Sequence, residues 1–171
     1  MLIVAICSLA MPAISQVHAP IPHLKPELSS LEYFAGEWEC SGKFDSSGKV
    51  IDAHQSFTPD LDGGWMLFRH DDKPPFNYHA LAEWGWDSKQ KKFVMSVEDS
   101  GGGLRLFYSP GWESTQLQWD GDAVGVADPI QRFTFERIDA AHFKVSFFMR
   151  KGNAPAQAAW SRVDASTCSK R

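Results

Sequence analysis

From Glu37 to Asp164, the chain runs in short segments that alternate apolar with polar residues and stop at turn-forming clusters. Candidate strands fall at 37–45, 50–59, 64–71, 77–87, 91–99, 103–109, 114–120, 131–138, 142–150 and 155–164. Between them lie Ser46-Ser47-Gly48, Asp62-Gly63-Gly64, Lys73-Pro74-Pro75, Ser100-Gly101-Gly102, Pro110-Gly111, Asp120-Gly121-Asp122 and Lys151-Gly152-Asn153. Phe93, Met95 and Val97 share a face opposite Ser96 and Glu98. Leu104, Leu106 and Tyr108 oppose Arg105 and Ser109, and Phe143, Val145, Phe147 and Met149 oppose His142, Lys144, Ser146 and Arg150. A period of two means one wet and one dry face per strand. No helical stretch is long enough to cross between parallel strands. Short links between many strands therefore predict an all-β antiparallel barrel or sandwich with little helix. One wet and one dry face per strand suits the wall of an antiparallel up-and-down β-barrel of about 8–10 strands.

The chain has 171 residues, enough for one domain. Every Phe, Trp and Tyr lies between Tyr33 and Trp160, which brackets the folded unit. The expected division is a signal peptide at 1–19, a Pro-rich leader at 20–30, the barrel at 31–164 and a tail at 165–171. Ser29 to Phe34 has the makings of one helical turn, with Ser29 as cap and Glu32 three residues on. A net charge of −4 with no basic patch argues against a nucleic-acid partner.

The first 24 residues hold no Lys, Arg, Asp or Glu, and Leu2–Ile14 is an apolar run of signal length, too short for a membrane span. Small residues offer cleavage after Ser15 or after Ala19, although the usual basic start is missing from Met1–Leu9. The expectation is a periplasmic or secreted protein. Cys7 would leave with the signal, so the mature chain keeps Cys40 and Cys168. Two cysteines in an exported chain read as a disulfide, against the alternative of a buried Cys40 and a free thiol on the tail.

The inward positions are rich in large rings: Trp38, Phe44, Trp84, Trp86, Trp119, Phe135 and Phe147. Such rings either fill a barrel or line a hollow one, and the pattern alone allows both. Gly36-Glu37-Trp38 opens the first strand, and Arg162 lies in the last candidate strand. With these ends the chain resembles the calycin barrels: lipocalins, fatty-acid-binding proteins and nitrobindin-like proteins. The ordered segments LEYFAGEWECSGKF, HALAEWGWDSKQKKFVMSVEDSGGG and SPGWESTQLQWDGD, within roughly 31–164, resemble a bacterial family of exported lipocalin-like proteins of unknown function, distantly akin to nitrobindins. The resemblance implies the barrel, and a structural role for Gly36, Trp38 and Arg162 at its end, with the Arg162 guanidinium over the Trp38 ring. It implies no established activity. Nitrobindins hold ferric haem through a His near the last strand, where this chain reads APAQAAWSRV and has none, and Cys40 stands where their first strand usually has a Gly.

No cofactor and no metal is therefore expected. His54, His70, His79 and His142 lack the spacing that puts two imidazoles on one metal, and read as outward-facing. Asp60-Leu61-Asp62-Gly63-Gly64 lacks the spaced acids of a calcium loop. No residue is assigned as catalytic: there is no Gly-x-Ser-x-Gly elbow, and an enzyme would need His79 beside Glu83 or Glu98. The leading expectation is a non-enzymatic barrel that holds a small hydrophobic ligand against Trp84, Trp86, Met95, Leu106, Phe135 and Phe147. The alternative is an envelope scaffold with a filled barrel and an exposed rim of Trp65, Phe76 and Trp112.

Overall fold

The alternating segments form eleven strands in a computed structural model, which describes residues 23–122, 129–151 and 158–171. They are β1 (Gly36–Phe44), β2 (Val50–Asp60), β3 (Trp65–Asp72), β4 (His79–Asp87), β5 (Lys92–Asp99), β6 (Leu104–Ser109), β7 (Trp112–Glu113), β8 (Gln116–Asp122), β9 (Ile130–Arg137), β10 (His142–Arg150) and β11 (Ser161–Lys170). Consecutive strands pair antiparallel along β1–β6 and again along β8–β11. β11 returns to β1, and β6 pairs with β8, so ten strands close into a ring with β7 as an extra strand on β8. Closure removes the exposed sheet edges that invite aggregation.

One end of the ring is plugged. A 3-10 helix, Pro26–Phe34, enters it and buries Leu28, Leu31 and Phe34. Pro26 starts it where a missing N–H costs nothing. Phe34 packs against Phe57, Trp84, Trp112, Phe135 and Phe143, with ring centroids 5.2–5.6 Å apart. Burying one such ring contributes about 1.5–3 kcal/mol. The helix then gives way to β1 at Gly36, whose φ of +119° lies in the region that favours glycine. Two residues on, the Trp38 indole N–H donates to the Phe34 carbonyl at 2.6 Å.

The leader also belongs to the fold. Leu24 and Leu28 lie in the core, and Lys25 N–H donates to the Gly63 carbonyl at 2.9 Å. Gly63 has a φ of +75°, and a Cβ there would meet the His23 carbonyl at 2.0 Å. The Asp60–Gly64 turn is thus a seat for the incoming chain. The expected boundary at residue 31 falls inside the plug, because the apolar anchors in the Pro-rich stretch are only Leu24 and Leu28. The expected signal segment, 1–19, lies outside the described residues.

Two other expectations change. The closing strand is Ser161–Lys170 rather than 155–164, so 165–170 is strand and not tail. Its inward positions Asp164, Ser166 and Cys168 carry no apolar alternation, and pairing with β1 and β10 places it instead. β6 has the opposite phase to the one read from Leu104, Leu106 and Tyr108. Met95 pairs with Phe107 and Val97 with Arg105, so Phe107 is fully buried while Leu104 is 54% exposed. The partner of Arg105 is the half-buried Asp99, and that ion pair lets a polar residue take an inward position.

Cys40 and Cys168 stand opposite one another in the β1–β11 ladder and form a disulfide. It links residues 128 apart, across the seam that closes the ring. Replacing both, Cys40→Ala with Cys168→Ala, is expected to lower unfolding free energy by about 3–5 kcal/mol through loss of loop-closure entropy. Urea unfolding measures it, and an unchanged midpoint would contradict this role.

Candidate functional site

The plug fills only one end of the ring. Towards the other end, where β1, β3, β5 and β10 finish, the interior holds a cavity of about 490 Å³. Its walls are mainly apolar: Phe44, Ile51, Phe68, Phe76, Ala80, Met95, Val97, Phe133, Phe135, Val145, Phe147, Met149 and Val163. Asn77 and Tyr78, exposed residues between β3 and β4, stand at its mouth. The same strands therefore serve two purposes, because Trp38, Trp84, Trp112 and Trp119 gather around the plug while phenylalanines line the open half.

Polar side chains punctuate this wall in two groups. On β2 and β3, Gln55 Nε2 lies 3.0 Å from His70 Nδ1, and His70 Nε2 lies 2.8 Å from Asp72 Oδ1. A carboxylate only accepts, so in the neutral imidazole Nε2 carries the proton and bare Nδ1 accepts from the Gln55 amide. On β6, Arg105 is paired with Asp99, and its Nη2 and Nη1 reach Tyr78 Oη at 3.3 Å and Gln131 Oε1 at 3.4 Å. Asp99 also accepts from the Gly101 N–H at 2.8 Å, so the turn after β5 fixes the ion pair.

Asp164, on β11, lines the cavity with no side-chain hydrogen-bond partner among the described residues. Burial pushes its carboxyl up to about 6; His70 and Arg162 oppose the rise, while Asp72 and Asp45 add to it. Burial also raises the Tyr78 hydroxyl, with Arg105 opposing.

Of the residues expected to line a cavity, Met95, Phe135 and Phe147 do so. Trp84 is fully buried against the plug, with ring centroids 5.4 Å from Phe34 and 5.0 Å from Trp119. Trp86 packs on Phe93 at 5.3 Å, and Leu106 lies on the other face of β6, for the phase reason given above. Gly36 and Trp38 sit at the plugged end. Arg162 does not cover Trp38: it pairs with Asp45 at 2.8 Å near the mouth, because β11 runs six residues further than expected. The cation over the Trp38 ring is Lys170, 5.3 Å from its centroid.

The histidines divide. His54 bonds Glu37 at 2.6 Å, His79 bonds Asp71 at 2.7 Å and His142 bonds Asp139 at 2.9 Å, whereas His70 faces inward. Glu83 and Glu98 are exposed and neither bonds His79. Among the described residues no group of three His, Cys, Asp or Glu side chains converges as a metal site. Trp112 stacks on Phe34 under the Arg137 guanidinium, 3.6 Å from its ring, while Phe76 lies at the mouth. Trp65 covers Gly85, so the three do not form one rim. The polar residues of the cavity escaped the sequence reading, although period two from Phe57 reaches Gln55 and from Met66 and Phe68 reaches His70 and Asp72.

The chain matches no family model and no curated protein. It is similar in structure to the crystal structure of Rv2717c from M. tuberculosis, with a TM-score of 0.60 at 10% identity over 86% of this chain and 99% of that one. Another similar structure is that of EF1p2_mFAP2b bound to DFHBI, with a TM-score of 0.34 and 13% identity over 82% of this chain and 96% of that one. What the likeness to the first of these shows is the fold alone, here a closed antiparallel barrel of ten strands with one added strand. Among the described residues no helix is long and apolar enough to cross a membrane.

Asp164 gives the site a pH signature. Its folded pKa, about 6, lies above the ordinary carboxylate range, so the folded state binds the proton more tightly than the unfolded chain. The group therefore costs stability above its folded pKa, and the cost fades as pH falls towards about 4. Asp164→Asn is expected to stabilise the protein by about 2 kcal/mol near pH 7 and by little near pH 4. Urea unfolding at the two pH values checks this, and an equal effect at both would contradict it.

Proposed function

We propose that this chain is an exported, non-enzymatic binding protein that takes a small, largely apolar molecule into the open half of its barrel. The observation that carries the reading is the 490 Å³ cavity, walled by Phe, Met and Val side chains and reaching the surface at Tyr78. That volume lies within the range of small-molecule sites, which combine apolar walls with a few placed polar groups. The buried disulfide supports export, since such bonds persist in oxidising compartments. The dispersal of Trp65, Phe76 and Trp112 counts against a scaffold that binds through an aromatic rim.

Titration with the neutral fluorophore N-phenylnaphthylamine tests the reading. Saturable binding of one molecule per chain is expected. Val145→Trp, which puts a large ring into the cavity, is expected to weaken it by about tenfold or more, equivalent to about 1.4 kcal/mol. Wild-type protein that shows no saturable binding would overturn the proposal. Where binding is saturable, native mass spectrometry of protein from its own host, followed by organic extraction, identifies the resident molecule.

A further inference from the structure

The cavity wall carries an imbalance of charge and of hydrogen-bonding capacity. The one guanidinium among its described lining residues, Arg105, is already held by Asp99, Tyr78 and Gln131. Asp72 is held by His70. Among the described residues Asp164 has no such partner: the cation near it on its own strand, Arg162, is turned to Asp45 in a two-pronged contact at 2.8 and 3.1 Å. His70 and Asp72 face it from β3, and Asp45 from the end of β1. A carboxylate in an apolar wall without a donor is costly, and the cost disappears when a cation or donor is brought to it.

A second group leans the same way. Gln55 is 3% exposed and lines the cavity. With its amide nitrogen committed to His70, its carbonyl oxygen faces the Cys168 sulfur at 3.9 Å. That sulfur is bonded to Cys40 and has no hydrogen to give, so Gln55 Oε1 is a buried acceptor with no donor among the described residues. An anionic head would meet Asp72 and Asp164 and find only a guanidinium already committed to Asp99. An ammonium head would meet a free carboxylate flanked by the Phe44 ring, whose neighbour in the β1–β11 ladder is Asp164 itself.

We propose that the cavity selects an amphipathic primary amine, its apolar body among Phe68, Phe135 and Phe147 and its ammonium against the Asp164 carboxylate. This rests on the reading of the cavity as a ligand site, and adds to it the chemistry of the ligand's polar end. An alkylamine stays protonated throughout the range in which Asp164 titrates.

The experiment is isothermal titration of the full, disulfide-bonded chain with decylamine, decanol and decanoate, which share one apolar body. Near pH 7.5, decylamine is expected to bind one molecule per chain, about tenfold or more tightly than either analogue. Asp164→Asn is expected to erase that preference and to leave decanol affinity within about threefold of wild type, which also reports that the variant is folded. In wild-type protein, lowering the pH to about 5 is expected to weaken decylamine about tenfold and leave decanol unchanged, since the carboxylate must lose its charge. Decanol or decanoate matching decylamine would overturn the headgroup assignment while keeping the cavity as a site. A preference that survives in Asp164→Asn, or a flat pH profile for decylamine, would do the same. If none of the three binds, the binding reading itself fails.

Discussion

The bond from the Trp38 indole N–H to the Phe34 carbonyl, 2.6 Å long, is the contact on which the rest of the barrel depends. A ring of ten strands encloses more space than the side chains of its own walls fill. Here the shortfall is met at one end by a helix, and the Trp38 bond holds the last residue of that helix to the first strand. Phe34 is thereby placed at the centre of a cluster of rings drawn from β2, β4, β7, β9 and β10. Arg137 clamps the plug from outside, donating to the Ser30 carbonyl at 2.7 Å and lying over Tyr33 and Trp112. The Tyr33 hydroxyl shares its proton between the carbonyls of His142 and Asp139, 2.7 and 2.9 Å away. With one end filled and tied, the other end can stay open without loss of the core.

The open end follows a different rule. Its walls mix aromatic faces with a few polar groups, and most of those groups pair with a neighbour: Arg105 with Asp99, and His70 with Asp72 and Gln55, while Arg162 and Asp45 pair outside the wall near the mouth. Inward charge in a barrel wall survives only when it is paired. Asp164 is the departure from that rule among the groups that line the cavity, and burial raises its pKa accordingly. The stability of the fold and the chemistry of the cavity therefore pull apart at this residue, as is common where a protein keeps a group for something other than folding.

The all-β barrel was legible in the sequence because its strands alternate and its turns carry Gly, Pro, Asp and Ser. The Gly36-x-Trp38 pair was legible too, since a positive φ at Gly36 and a buried ring two residues later leave a visible mark. What the alternation hid was polarity facing inward. On β6, Leu104 and Leu106 look like the core face, yet Arg105 and Phe107 hold it, because the deciding partner of Arg105 is Asp99, across the turn in the neighbouring strand. On β11, Asp164, Ser166 and Cys168 have no apolar signature, and only the disulfide to β1 betrays the phase. Arg162 then moved to the mouth and Lys170 took its place over Trp38. The split between a filled and a hollow half depends on which large rings meet in space, and that is a property of register rather than of pattern.

A crystal structure of the protein with decanol bound tests the half-filled barrel most directly. The account predicts density for the alcohol among Phe68, Phe135 and Phe147, with Phe34 and the Trp38 bond unmoved. Side chains filling the interior up to Tyr78, or ligand density in place of a displaced Phe34, would contradict it.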